Sequence, residues 1–467
     1  MCQLLSSLQS GEARKGIPKD EDVRQASREQ RQGMNRRELI TGASAMAFSA
    51  CTPSASLPTP TVDVFDGASL MKDVEAYVGF GVHRTGSEGD AATSRWFADH
   101  FRALGYTVQQ TDVTCPNADT HVARLRIGEE AFDGFAQPPL VFTPEGGLTA
   151  PLVWWEATTP GKVKDAIAIV HVPRQAGAAS PGAAYRQAFS ACEAAGAKGI
   201  VALMSGPSGE VVAINTPLSL KPGLSILQIG EKERARLEAA MAAGAPGRLI
   251  MEGPGGDRTG VNTVATRGKA GDPWVIISTP QSGWFTCGGE RGPGIAMHRA
   301  LAAWAGQQTF PVRWLFIATS GHEWGDAGAE IFHHSQAPDP RETALWYHLG
   351  AGYGARAYSE TQAGLLALET PNLARTLMAT ADLIPFCQAA FAGQPVIEKP
   401  LAADPATALG EYRLVLAESY PSAAGFWGAN AHFHTPLDDA STTTPEIMSP
   451  IARAIAKVIE QKLSSLA

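Results

Sequence analysis

The sequence predicts an α/β fold in which a mixed, mostly parallel sheet is flanked by helices. Residues 312–318 are apolar except for Arg313, a pattern that is typical of a strand covered on both faces. The apolar segment Trp274–Pro280 predicts a second buried strand. Between about residues 140 and 252, short apolar strands alternate with alanine-rich helical segments, as they do in βα units.

The composition favours a globular protein that acts on small molecules or peptides. With 467 residues, of which 44% are hydrophobic, the chain is long enough for two or three domains with cores of their own. The formal net charge is -8, and no cluster of Lys or Arg breaks this acidic balance. A nucleic acid or an anionic membrane surface would require such a cluster, so we expect neither as a partner.

The N-terminal region has the features of an export signal. Arg36 and Arg37 precede a short run of small and apolar side chains, residues 41–50, which ends at Cys51. This run is shorter than the roughly 20 residues that span a membrane. The paired arginines resemble a twin-arginine signal, and the residues before Cys51 resemble a lipobox, whose cysteine is lipidated.

We therefore expect an exported protein of the periplasm or cell envelope. Cys51 is the candidate lipid anchor, and Met34 is an alternative start of the chain. The other interpretation of the same residues is a disordered cytosolic tail.

The cysteines predict neither a zinc knuckle nor a dense set of disulfides. Cys2 lies upstream of Met34, and Cys51 belongs to the export signal. The other four show no CxxC spacing, so they leave room for one long-range disulfide in an oxidising compartment. These four are Cys115, Cys192, Cys287 and Cys387.

A polar turn follows the predicted strand over residues 312–318. His322 and Glu323 stand in this turn, with Gly321 before them and Gly325 after Trp324. Open α/β sheets place their chemistry at such carboxyl ends of strands. A histidine beside a carboxylate can supply a metal ligand, a general base or both. The alternative is a capped turn with a solvated carboxylate.

Two regions of the chain carry a resemblance to a known family. Arg84-Thr85-Gly86-Ser87 is followed by a helical pattern and the strand-like ALGYTV, as in the opening of the secreted zinc aminopeptidases, a family that includes glutaminyl cyclases. KVKDAIAIVHVPR and ACEAAGAKGIVALM resemble the protease-associated domain that is often inserted in these enzymes.

The resemblance implies a zinc exopeptidase-like fold in four parts. Residues 1–55 form an N-terminal extension. Residues 56–138 and 254–467 form the peptidase-like domain, and residues 139–253 form the inserted domain.

The resemblance also implies that one of the family's two metal sites is lost. The first histidine of the family falls on Pro280, and its supporting aspartate falls on Ser282. The aspartate of a later strand falls near Gly350, where the neighbouring His348 is the one substitute. Proline, serine and glycine at these positions cannot serve as the family's ligands do.

The second metal site keeps its ligands. The bridging carboxylate falls on Glu290, the family's Glu-Glu pair falls on His322 and Glu323, and the final histidine is His434 in AHFHTPLDD. The resemblance thus implies one Zn²⁺ held by Glu290, Glu323 and His434, with His322 in place of the usual glutamate base. Such a chain would be an exported zinc-dependent hydrolase of peptide or amide bonds.

Other interpretations of these residues stay open. Glu290 precedes Arg291, so it would serve equally in an ion pair or as a cap of the helix predicted over residues 293–304. Without a metal, the chain would be an inactive homologue that binds peptides or a protein partner. A metal-independent hydrolase would use Ser282 or Cys287 as its nucleophile and His322 as its base.

Aromatic side chains crowd the loops expected around the pocket, which favours an apolar or aromatic ligand unless they belong to the core. They are Trp284, Phe285, Trp324, Tyr353, Phe426 and Trp427. Ser282, Cys287, His348 and Trp324 complete the candidate pocket.

Overall fold

The computed structural model describes residues 63–173, 182–204, 206–221 and 223–466. The predicted export signal and Cys51 lie outside these residues. Within them, no helix combines the length and the apolar character that a membrane crossing requires.

The helices begin and end where the sequence supplies caps. The side chain of Ser87 accepts a hydrogen bond from the Asp90 backbone N–H and thereby starts α2. Gly105, with a φ of 80°, follows the end of the same helix. In chain order the helices are α1 (Gly67–Gly79), α2 (Glu88–Ala103), α3 (Gly182–Ala194), α4 (Arg234–Ala242), α5 (Gly292–Ala305), α6 (Ala327–Ser335), α7 (Ile384–Ala390), α8 (Tyr412–Ala417) and α9 (Pro445–Ser464).

The strands include both segments that the apolar runs predict: Trp274–Pro280 is a strand, and the run over 312–318 coincides with Arg313–Thr319. In chain order the strands are β1 (Thr107–Pro116), β2 (Val122–Ile127), β3 (Glu130–Asp133), β4 (Phe135–Ala136), β5 (Leu148–Ala150), β6 (Leu152–Trp154), β7 (Ile167–His171), β8 (Gly199–Leu203), β9 (Ile226–Ile229), β10 (Gly247–Glu252), β11 (Asp257–Arg267), β12 (Trp274–Pro280), β13 (Arg313–Thr319), β14 (Thr343–Leu349), β15 (Arg356–Thr361), β16 (Gly364–Pro371), β17 (Arg375–Ala379), β18 (Leu401–Ala402) and β19 (Ala423–Gly428).

The main sheet is mixed, with a parallel centre. Its order is β1-β11-β13-β12-β14-β19-β17-β18. The four central strands, β13, β12, β14 and β19, run parallel to one another. Their carboxyl ends therefore meet at one edge, because parallel strands end on the same side of a sheet. The predicted α/β class is confirmed.

Helices cover both faces of this sheet. Side chains of α1, α2, α5 and α9 form one large buried cluster with the strands, and side chains of α6 and α8 form a second cluster on other strand positions. Burial on both faces explains why β12 and β13 are mostly apolar.

The part of the chain that connects β1 to β11 forms two smaller sheets. One has the order β4-β9-β8-β7-β6 and the other β3-β2-β10-β5. They enclose buried apolar clusters of their own. Strands β2, β3 and β4 precede residue 139, the predicted start of the inserted domain. Yet β2 pairs with β10 and β3, and β4 pairs with β9. Independent folding of the predicted inserted domain, about residues 140–252, stays a prediction.

The cysteines of the described residues form no disulfide. Cys115, Cys192, Cys287 and Cys387 are each free and buried. The long-range disulfide that the sequence left room for is therefore not present among them.

Candidate functional site

The predicted site residues gather at the carboxyl ends of the central strands. Pro280 at the end of β12 lies beside Thr319 at the end of β13. Ser282 follows β12, and His322 and Glu323 follow β13 in a turn. This edge is where open α/β sheets place ligands, and the predicted residues are brought together there.

Glu323 is held in place by three hydrogen bonds. The Thr85 backbone N–H and its hydroxyl both donate to Oε1, each at 2.6 Å. The Ser282 hydroxyl donates to Oε2 at 2.7 Å. Both carboxylate oxygens are thus engaged, and the side chain is fully buried. Thr85 belongs to the Arg84-Thr85-Gly86-Ser87 segment, so that segment positions Glu323.

Glu290 lies in an internal ion pair. Its Oε1 is 2.8 Å from Arg291 Nη2 and 3.3 Å from His434 Nε2. Burial alone would raise the pKa of Glu290, but the Arg291 and His434 charges outweigh it and lower the pKa to about 2. Arg291 is only 1% exposed, and its Nε also donates to the Ser282 carbonyl at 3.0 Å. The ion-pair interpretation of Glu290 is the one that the structure shows.

The orientation of the His434 ring is fixed by a backbone carbonyl group. Its Nδ1 donates to the carbonyl oxygen of Ala213 at 2.9 Å, which turns Nε2 toward Glu290. A histidine held in this way by a carbonyl group is common among metal ligands. The pair of Glu290 and His434 is therefore the part of the predicted ligand set that the structure brings together.

His322 lies between two carboxylates that the sequence analysis did not identify. Its Nδ1 is 3.0 Å from Asp326 Oδ1 and 3.3 Å from Glu411 Oε1. Burial and the Arg291 charge would lower the pKa of His322, but the two carboxylates raise it to about 9. The imidazole therefore carries two protons at pH 7, whereas the predicted general base has to be neutral there.

The sequence contained a signal for one of these two partners. Asp326 follows His322 by four residues and comes from the same turn. Glu411 is 89 residues away in the chain and is placed by the loop before α8, so no local pattern points to it. Thr319 at the end of β13 donates its hydroxyl to Glu411.

The predicted zinc ligands do not converge in this arrangement. Among the described residues, the group whose ligand atoms all lie within 4.8 Å of one another is His322, Asp326 and Glu411. Ligands on one zinc ion lie about 2.0–2.3 Å from it, so they cannot be farther apart than roughly 4.6 Å. Both Glu323 oxygens are engaged by hydrogen bonds, so in this arrangement Glu323 does not form a zinc site with Glu290 and His434. The Glu290 oxygens have no hydrogen-bond partner and lie against the charges of Arg291 and His434.

The positions of the lost first metal site offer no replacement ligand. A side-chain Cβ at Gly350 would lie 2.0 Å from the Phe426 carbonyl oxygen, so the backbone excludes any ligand there. His348 does not substitute for it. Its Nδ1 is 2.9 Å from the Ser278 hydroxyl, its ring stacks on Tyr412, and burial lowers its pKa to about 3.

The candidate nucleophiles are not paired with the candidate base. Ser282 donates its hydroxyl to Glu323, and it accepts from the backbone N–H of His322 and not from the ring. The Cys287 thiol is buried, which raises its pKa well above the usual value, and it faces the Phe285 carbonyl at 3.4 Å. Both arrangements argue against nucleophilic catalysis.

The aromatic residues expected around a pocket are mostly core residues. Trp284 and Trp324 pack together, with their rings 6.1 Å apart, in a buried cluster. Tyr353 stacks on Phe426 at 4.4 Å and both are fully buried. For these four side chains, the core-packing alternative is the one that the structure shows.

A segment that we call the strap, residues 211–217, covers the site. The Ala213 N–H donates to the His434 carbonyl at 3.0 Å, and the Thr216 N–H donates to the Glu323 carbonyl at 2.9 Å. Trp284 Nε1 donates to Asn215 Oδ1 at 2.8 Å. The strap passes so close to the turn after β13 that a Cβ at Gly325 would lie 2.9 Å from Pro217 Cα. The sequence of the strap gave no sign of this role.

Comparison with known proteins supports the fold. The chain matches no family model and no curated protein. It is similar to solved structures over 85% of its length: BSAP, a zinc aminopeptidase from Bacillus subtilis (TM-score 0.65, 14% identity, 95% of that chain), a peptidase M28 precursor from Shewanella amazonensis (0.64, 17%, 96%) and an aminopeptidase from Aneurinibacillus sp. strain AM-1 (0.57, 18%, 94%).

The chain therefore has the fold of the zinc exopeptidases, as the resemblance implied. The similarity extends over nearly all of each neighbouring structure. At these identities the comparisons establish the fold, while the chemistry has to be argued from this chain's own residues.

Proposed function

We propose that this chain is a binding protein built on the aminopeptidase fold, which recognises peptide-like or small-molecule ligands without zinc-dependent hydrolysis. The observation that carries the proposal is the buried ion pair of Glu290 and Arg291, 2.8 Å apart. The guanidinium supplies, from within the chain, the positive charge that a metal ion would bring to this carboxylate.

Electrostatic repulsion favours a site without a zinc ion. A dication about 4 Å from a guanidinium would be repelled by roughly 8 kcal/mol at an effective dielectric constant of about 20. Even a complete structural zinc site gains only about 10–16 kcal/mol. Here Glu290 and His434 alone approach each other, and Glu323 would have to give up three hydrogen bonds to join them. Glu290 and His434 would thus have to hold the ion against this repulsion without a third ligand.

The strap supports a role in recognising peptides. Ala213 pairs with His434 through both its N–H and its carbonyl group, and the Thr216 N–H pairs with the Glu323 carbonyl. Extended main chain that pairs with a binding site through backbone groups is a general mode of peptide recognition. The strap pairs with the site at the carboxyl ends of the central strands, which we call the strand-end site, as a bound peptide would. The strand-end site is thus suited to an extended peptide.

A one-zinc hydrolase of peptide or amide bonds is the second candidate. Two observations favour it: the carbonyl-held orientation of His434 beside Glu290, and the similarity of the fold to zinc aminopeptidases. This candidate requires Glu323 to leave Thr85 and Ser282, and it requires His322 to lose a proton.

Metal content and turnover separate the two candidates. The full chain, purified without a chelating tag, would be loaded with Zn²⁺, dialysed and analysed for zinc, beside Glu290→Gln as the matched control. We expect the same low zinc content in both proteins, and we expect apolar tripeptides to be recovered uncleaved. One zinc per wild-type chain, together with peptide cleavage that Glu290→Gln abolishes, would establish the hydrolase instead.

We also propose that the protein is exported through its paired arginines and anchored by a lipid on Cys51. The support for this is the sequence pattern around Arg36, Arg37 and Cys51. Replacing both arginines by lysine should retain the precursor in the cytoplasm. Normal export of that double variant, or a wild-type protein that is fully soluble in the periplasm, would contradict the corresponding part of the proposal.

A further inference from the structure

A cavity of about 170 Å³ lies behind the strap, in the smaller sheets. One wall comes from α3, another from β8 and β9, and a third from the strap itself. Its lining is predominantly apolar. The apolar side chains include Phe189, Ile200, Ile214, Leu220, Leu224 and Ile226. A cavity of roughly 150 Å³ holds a benzene molecule, so this one accommodates a branched aliphatic or aromatic side chain.

The polar side chains inside the cavity are already satisfied. Gln137 Nε2 donates to the carbonyls of Pro138 and Ile214 at 2.8 and 2.9 Å, and Gln137 Oε1 accepts from the Ile214 N–H at 3.0 Å. The Thr216 hydroxyl donates to the Pro138 carbonyl at 3.0 Å. A ligand group that enters the cavity therefore meets apolar surface and has to be apolar itself.

Charges of both signs stand at the mouth. Arg186 and Glu193 lie on α3 and line the cavity with Lys221, and all three side chains are exposed. Arg186 and Glu193 are seven residues apart, or about 10 Å and two helical turns, so they share one face of α3. Phe189 and Ser190 lie between them on the lining. The mouth therefore offers a cation on one side and a carboxylate on the other.

We propose that this cavity binds a free α-amino acid with an apolar side chain, such as leucine or phenylalanine. The side chain fills the cavity, the carboxylate faces Arg186 and Lys221, and the ammonium group faces Glu193. A zwitterion with one apolar group matches both features of the cavity. An apolar anion or an apolar amine matches only one of the two charges. The inference does not depend on whether the strand-end site hydrolyses anything.

The cavity and the strand-end site share the strap. Ile214 and Thr216 line the cavity, while Ala213 and Asn215 bond to His434 and Trp284. The strap therefore contributes residues to both sites and lies between them. A ligand in the cavity therefore holds the strap from behind, and it should slow hydrogen exchange at the backbone N–H groups of Ala213 and Thr216.

Calorimetry on the full chain tests the ligand class. We expect L-leucine and L-phenylalanine to bind, and isocaproate and isoamylamine, which each lack one charge, to bind at least ten times more weakly. L-Lysine and L-glutamate should not bind. Absence of binding by both apolar amino acids would overturn the proposal, and equal binding of isocaproate or isoamylamine would overturn the role of the charged mouth.

Two tryptophan variants test the location. Ser190 is exposed and lines the cavity, whereas Gln187 is exposed on the same helix and does not. Ser190→Trp should fill the cavity and abolish leucine binding, while Gln187→Trp should leave binding unchanged. Arg186→Gln and Glu193→Gln should each weaken it at least tenfold. Leucine binding that survives Ser190→Trp, or exchange at Ala213 that leucine does not slow, would place the ligand elsewhere.

Discussion

The two halves of the strand-end site have opposite charge patterns. On one side, the Glu290 carboxylate lies between the Arg291 guanidinium and the His434 imidazole. On the other, the His322 imidazole lies between the carboxylates of Asp326 and Glu411. Each buried charge is thus opposed by side chains, which is what burial requires. The comparison teaches that a site of this fold can neutralise its carboxylates with cations of its own chain.

The largest expected change in the free energy of unfolding comes from the half of the site that contains Glu290. Arg291→Met leaves a fully buried carboxylate with His434 as its remaining partner, and breaking a buried pair in this way costs about 3–5 kcal/mol. The free energy of unfolding in urea at pH 7 measures it. Arg341→Ala removes an exposed arginine of a surface pair and should change stability by less than about 0.5 kcal/mol.

The double variant Glu290→Gln with Arg291→Met sharpens this result. It removes both charges together, so it should be less destabilised than the sum of the two single variants. Simple additivity would mean that the two side chains do not depend on each other.

The half of the site that contains His322 should make the free energy of unfolding depend on pH. Its folded-state pKa of about 9 exceeds the ordinary value of 6.5, so its contribution is complete below pH 6.5 and is lost as pH rises through 9. A shift of this size corresponds to roughly 3 kcal/mol. The difference in stability between the wild type and His322→Gln should therefore be largest near pH 6 and shrink toward pH 10. A difference that does not vary with pH would show that His322 is not held as a cation.

A smaller effect is expected where the strap meets the site. Asn215→Ala removes the acceptor of the buried Trp284 indole N–H, and an unsatisfied buried donor costs about 1–3 kcal/mol. Hydrogen exchange at Ala213 and Thr216 should accelerate, while exchange in β12 should follow only the change in global stability. Unchanged exchange in the strap would mean that this bond does not hold it.

The smallest expected effect is that of removing metal. If both halves are neutralised by side chains, EDTA should leave the thermal unfolding temperature of the wild type within the scatter of repeated scans. A clear drop that Zn²⁺ reverses would show that a metal ion contributes to the native state.

Local features of the chain could be predicted from the sequence. The apolar run Trp274–Pro280 is a strand with the predicted bounds, because burial on both faces leaves a continuous hydrophobic signal. The helix predicted over 293–304 is α5, which is one residue longer at each end. Because Glu290 and Arg291 are adjacent in the sequence, their ion pair was one of the two alternatives to metal binding that the sequence suggested for Glu290.

Contacts between distant segments were decided by the tertiary structure alone. Glu323 is turned to Thr85, 238 residues away, His322 meets Glu411 at a separation of 89, and His434 meets Ala213 at 221. Periodicity determines which face of an element is buried, but it carries no information about which polar groups meet across the fold. The predicted zinc ligands therefore lie at one edge of the sheet, and only packing decided that Glu323 would be bound by Thr85 and that His434 would be bound by Ala213.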